Sequence, residues 1–168
     1  MNDAAILLIF PAIMAFAAVS DLLTMTISNR VSLLLVAGFA ALALTTGMDW
    51  QTVGMHALAG VTVLAITFIL FAFGWIGGGD AKLAAATALW LGWSQLLSYA
   101  LYSSLLGGVL TIALLSLRAA PLHPTFLVRE AWYVRMTDEK TGIPYGIALA
   151  AAGLLLYPTS VWMTSALH

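Results

Sequence analysis

Long apolar runs separated by short polar segments set the pattern of this chain. Ala4 to Ser20, Val31 to Thr46 and Val53 to Phe73 are almost free of charge. After a run of glycines come a shorter stretch, Ala81 to about Trp93, and two more long ones, Leu96 to Leu117 and Ile143 to Met163. A helix needs about 20 apolar residues to cross a bilayer, and fewer where lipid is locally thinned or a helix end lines a cavity. The pattern therefore predicts an all-α, polytopic integral membrane protein of about six transmembrane helices. The boundary between the fourth and fifth rests on Gly92, Ser94 and Gln95 alone, and merging the two leaves five. No internal repeat, heptad or low-complexity tract is visible.

The polar segments test the arrangement. With six spans and both termini outside, Arg30, Lys82, Arg118, Arg129, Arg135 and Lys140 all fall on the cytoplasmic side, and Asp3 and Asp49 fall outside. That is the distribution expected when Lys and Arg stay in cytoplasmic loops. Merging the fourth and fifth spans would carry Arg118 and the basic residues after it outside, which argues for the break. The same layout places Asp21 and Asp80 on one membrane face. The longest polar stretch, Arg118 to Gly142, mixes charges with Phe126, Leu127, Trp132, Tyr133 and Met136. It reads equally as an interfacial segment and as a solvated loop with an aromatic belt. The N-terminal run opens on Asn2 and Asp3, lacks a basic n-region and a clear small-x-small cleavage site, and reads as a retained span.

Composition agrees. The 168 residues are 62% hydrophobic and 8% charged, with a mean hydropathy of +1.03, and water is not the solvent of such a chain. The length fits one domain over residues 1–168. A net charge of -1 offers no basic patch to nucleic acid. The absence of cysteine removes disulfides, thiolate nucleophiles and cysteine-ligated zinc. His56, His123 and His168 have no metal-ligand spacing and read as ordinary loop or interface residues.

Against this background two acids stand out. An ionisable residue at the edge of a span is expensive to desolvate and marks a candidate site. Asp21 directly follows the first apolar run, and Asp80 follows Gly77, Gly78 and Gly79 just before the fourth. The helix dipole disfavours charge at Asp21, at a helix C-terminus, and favours it at Asp80, at a helix N-terminus. Two carboxyl groups held close share a proton, so that one acts as base on a water while the other donates to a carbonyl. Three glycines permit unusual backbone angles and close approach of a peptide, and non-helical backbone at this depth must line a watery cavity or be buried by protein. Each acid also has a plainer reading: Asp80 as the N-cap of an Ala-rich helix, Asp21 as an interfacial acid paired to Arg30.

Gly77-Gly78-Gly79-Asp80 matches the Gly-x-Gly-Asp signature of membrane aspartyl peptidases, and Ala81-Lys82-Leu83 continues it as in prepilin (type IV leader) peptidases. Ile27-Ser28-Asn29 resembles that family's Ile-Pro-Asn, and Ile143-Pro144-Tyr145-Gly146 its Ile-Pro-Tyr-Gly. The resemblance covers nearly the whole chain. It implies an inner-membrane endopeptidase that removes the short basic leader from prepilins on the cytoplasmic side. Asp21 and Asp80 would be the catalytic pair, Gly77, Gly78, Gly79, Lys82 and Asn29 the surrounding active-site loop, and no metal or organic cofactor would take part. Ser28 stands where the family has proline, which implies a less rigid turn. Longer members also carry a cysteine-rich zinc-binding segment and N-methylate the mature pilin. Without cysteine, the chain resembles the short, peptidase-only form of tight-adherence (Flp-type) pilus systems.

Smaller readings follow. Lys82 is a topology-setting cation or a partner of Asp80 or substrate. Pro144 starts the last helix. The Trp and Tyr residues near span ends anchor the interfaces, and Gly107-Gly108 serves helix packing. Rival functions are a small ion- or proton-coupled transporter, a non-catalytic pilus-assembly protein, and a preflagellin or intramembrane peptidase with the same chemistry. Whether the chain forms homo-oligomers is left open.

Overall fold

The computed structural model describes the backbone of residues 2–120 and 129–166 and the side chains of 4–120 and 129–164. His123, Phe126, Leu127, His168 and the side chain of Asp3 lie outside the described residues. Every regular element among those described is helical: α1 (Asn2–Thr24), α2 (Asn29–Thr46), α3 (Trp50–Ala72), α4 (Gly78–Leu91), α5 (Leu96–Arg118), α6 (Ala131–Thr137), α7 (Gly146–Leu156) and α8 (Val161–Ala166). Five segments are long and apolar enough to cross a membrane, namely α1, α2, α3, a 3-10 turn continuing into α5, and α7 with α8. The chain is thus a polytopic membrane protein.

The anticipated break between the fourth and fifth runs is present. Gly92 adopts φ 73° and a 3-10 turn over Trp93–Gln95 separates α4 from α5. At 14 residues, α4 is about 21 Å long, short of a hydrocarbon core of about 30 Å. It is nonetheless the centre of the molecule, packed against α2, α3, α5 and α7, with nine of its residues buried. Five of the nine are alanines, and lipid tails are as apolar as leucine, so close backbone approach and dispersion hold such helices together. Helix α3 shows the complement: of its residues only His56, Ala59 and Gly60 are buried, and the others are exposed or half-buried.

Helix α1 buries Ile6, Phe10, Met14, Ala17 and Asp21, a stripe at spacings of three and four that forms one helix face. The helix runs one turn past the anticipated boundary and stops where Met25 takes φ 55°. Asp21 therefore belongs to the last turn of α1, on its buried face. Aromatic side chains fill the other end of the core. Trp90 Nε1–H donates to Leu35 O at 2.8 Å, Trp162 Nε1–H to Trp90 O at 3.0 Å, and Tyr157 Oη–H to Ile6 O at 2.6 Å. Three of the expected interface anchors, Trp90, Tyr157 and Trp162, are thus core residues, and each has its ring donor satisfied as burial requires. Trp50, Trp75 and Trp93 stay exposed at helix ends, where anchors belong. His56 joins the core cluster: Nδ1 lies 2.8 Å from Leu89 O, and its ring stacks on Phe39.

The last span is not one helix. Pro158 sits in a 3-10 turn between α7 and α8. Pro144 precedes α7 rather than opening it, since the helix begins at Gly146 with Tyr145 as N-cap.

Candidate active site

Asp21 and Asp80 come to the same end of the bundle. One oxygen of the Asp21 carboxyl accepts the Gly146 N–H at 2.8 Å, and the Ile147 N–H is directed at the same carboxyl. A carboxylate from α1 thus satisfies the first free N–H groups of α7, which a helix start must place somewhere. Among the described residues Asp21 forms no ion pair with Arg30, and the plainer pairing falls away because the two point into different surroundings: Asp21 is buried and Arg30 exposed.

Asp80 is not the N-cap of α4. That position is Gly77, which has no side-chain cap. Asp80 is the third helical residue, and its carboxyl reaches back to the Gly77 N–H, as an acid in the first turn does in a capping box. Nor do the three glycines supply unusual angles. Gly78 and Gly79 are helical, and Gly77 has φ -73° and ψ 144°, which any residue adopts. Their small size is what counts. A Cβ on Gly79 would lie 3.1 Å from Ile27 Cβ, one on Gly78 3.2 Å from Phe71 Cε2, and one on Gly77 2.8 Å from Asp80 Oδ2. The glycines admit the protein's own side chains.

Ile27 links the two acids. It packs against Gly79, next to Asp80, and its Cδ1 would be 2.5 Å from a Cβ on Gly146, the residue that holds Asp21. The carboxyls are close enough for the charge on Asp21 to act on Asp80. Tyr99, buried on α5, and Tyr145 also lie within electrostatic range of Asp80. Tyr145 Oη–H donates to Ser103 O at 3.1 Å while its ring covers Gly107, so the packing role of Gly107 is met from a loop. A Cβ on Gly108 would meet nothing within 4 Å.

Lys82 points away from Asp80, as residues two apart on a helix must. Its Nζ donates to Asn29 Oδ1 at 2.8 Å, so these two residues form a pair on the α2 side of α4. Ser28 caps α2 with φ -65°, its Oγ accepting the Arg30 N–H at 3.3 Å. The backbone there already has the angle proline would impose. The basic residues gather at the same end: Arg135 donates to Leu23 O at the end of α1, and Arg118 binds Met136 O and Gly142 O at 2.8 and 2.9 Å. Asp49 caps α3 at the opposite end. Among the described residues no group of three or more His, Cys, Asp or Glu side chains is placed to hold a metal ion. In the sequence Ile27 and Gly146 stand only as members of motifs, without a role of their own, and Tyr99 is not singled out. Nothing local marks Tyr99, whereas Gly146 stands inside a motif whose backbone donor becomes visible only in three dimensions.

An all-helical membrane protein with two otherwise isolated acids brought together at one end is the class that fold and site define. Residues 8–112 match the model of the type IV leader peptidase family, and the chain belongs to that family. It is 28% identical over 151 residues to the prepilin leader peptidase/N-methyltransferase of Bacillus subtilis (strain 168). The match covers 89% of this chain and 53% of that protein, so the chain spans about half the length of the curated relative it matches. No solved structure matches.

Proposed function

We propose that this protein is a membrane aspartyl endopeptidase that cleaves the short leader from prepilins at the cytoplasmic face of the inner membrane. One observation carries the reading: two acids 59 positions apart in sequence, Asp21 and Asp80, meet at one end of the bundle in a chain of the type IV leader peptidase family. In this reading one carboxyl takes a proton from a water as it attacks the scissile carbonyl. The other protonates the carbonyl oxygen; as the tetrahedral intermediate collapses, the first carboxyl passes the proton taken from water to the leaving amine, and the second recovers its proton from the gem-diol hydroxyl. The Gly146 and Ile147 N–H groups fix the orientation of the Asp21 carboxyl, so it is positioned before substrate arrives. The basic residues at this end support a cytoplasmic position for the site and an outside position for both termini, with α4 counted as a short buried sixth segment. A Flp-type pilin is the substrate class favoured by the likeness to the cysteine-free, peptidase-only form of the family.

The test is co-expression with a candidate prepilin, reading the size shift on cleavage. Asp21→Asn and Asp80→Asn preserve shape and hydrogen bonding but cannot exchange the proton, and each should slow cleavage by about 10²–10⁴-fold while the protein still inserts. Cleavage at the normal rate in either variant removes that acid from the mechanism. Ion flux through liposomes that vanishes with the same substitutions, with prepilin left uncut by the unaltered protein, would establish the transporter instead.

A further inference from the structure

On the face of α4 turned away from Asp80, helices α2 and α3 diverge and leave a groove of about 550 Å³. Its polarity changes along its length. At one end lie Lys82 and Asn29, joined by the 2.8 Å hydrogen bond. One turn further along α2 is Ser32. Beyond it the walls are apolar as far as Leu89, seven residues or about 10 Å along α4 from Lys82.

A cation followed by hydrocarbon is the order in which an anionic phospholipid presents its complement: phosphate, then acyl chain. We propose that this groove is a binding site for one anionic phospholipid, with its phosphate on Lys82 and Asn29 and an acyl chain between α2 and α3. Three points support this occupant over a helix of another protein. An ammonium has three donors and the Asn29 bond uses one. Among the described residues no carboxylate pairs with Lys82. Basic pockets between spans are, moreover, where anionic headgroups bind. The site needs only that the chain sit in a bilayer; the orientation proposed above decides which leaflet supplies the lipid. It is independent of the catalytic pair.

Native mass spectrometry of the purified full chain with phosphatidylglycerol and phosphatidylcholine tests it. Retention of phosphatidylglycerol should exceed that of phosphatidylcholine about fivefold, the preference conferred by one basic residue near the membrane surface. Lys82→Gln should abolish the preference and Lys82→Arg should keep it, with helical circular dichroism confirming that both fold. Asp80→Asn should bind lipid as the unaltered protein does, which separates failure of this site from failure of the catalytic reading. A photoactivatable residue at Val61, in the groove wall, should form an adduct with phospholipid in native membranes. Equal retention of the two lipids, an unchanged preference in Lys82→Gln, or an adduct with a polypeptide in place of lipid would overturn the proposal.

Discussion

Adding one methyl group at Gly146 tests the site without touching either acid. In Gly146→Ala the new Cβ would lie 2.7 Å from Asp21 Oδ2 and 2.5 Å from Ile27 Cδ1, against an ordinary contact of 3.4–4 Å. The backbone itself accepts alanine, since Gly146 is not among the residues of positive φ. The Ile27 methyl can rotate aside. The carboxyl oxygen has less freedom, because the N–H it binds belongs to the same residue as the intruding Cβ. It must move by roughly 0.7 Å or more, and misplacing a reacting group by about 1 Å costs on the order of 10²-fold in rate. Overpacking costs about 1–3 kcal/mol, and the change from glycine returns about 0.4–1 kcal/mol by restricting the unfolded chain. The net loss, between about 0 and 2.6 kcal/mol, should leave a folded protein. Prepilin cleavage followed by gel shift in membranes, with protein level read by blot and thermal unfolding in detergent, should give about a hundredfold slower processing at near-normal abundance. Gly108→Ala, at a position open to 4 Å, should cleave normally and unfold no earlier. Cleavage by Gly146→Ala at the normal rate would refute the placement of Asp21 by this helix start. Restoration by Ile27→Val, which deletes the clashing Cδ1, would assign the defect to Ile27 and not to the displaced carboxyl.

Two further outcomes follow from other parts of the fold. Gly92→Ala forces a side chain onto φ 73°, ψ 179° and brings a Cβ within 2.7 Å of His56 Nε2. Backbone strain alone costs about 1–3 kcal/mol, so detergent thermal unfolding should shift down, and trimming the ring with His56→Ala should recover only the steric part. At the opposite end from the acids, Asp49 caps α3, and its bonds to Thr52 hold its carboxyl below the ordinary 3.8. A carboxyl depressed by folding stabilises fully above its unfolded value and loses that contribution as pH falls through the folded value. Hydrogen exchange at the Gln51 and Thr52 amides should therefore lose protection below pH 3.8. Asp49→Asn should make that protection independent of pH, and an unchanged profile would refute the cap.

The apolar runs determined by themselves that the chain is helical and lives in a membrane, because backbone groups in lipid can be satisfied only within the segment and the runs have the length for it. The break at Gly92 was legible for a similar local reason: a glycine beside Ser94 and Gln95 interrupts the apolar run. Asp21 and Asp80 were legible as candidates because an acid bordering so much apolar sequence is costly wherever it goes. What surrounds them was not. That Asp21 spends its bonds on the start of α7 depends on a donor 125 residues away, and a backbone N–H carries no mark in a sequence. The glycines before Asp80 suggested unusual angles, yet their role is set by Ile27 and Phe71 packing against them. Lys82, two positions from Asp80, turned out to face Asn29 because a helix sends such neighbours to different sides. Local sequence decides which segments are helices and where charge is expensive; only packing decides which groups meet, since contacts between helices depend on close approach of residues far apart along the chain.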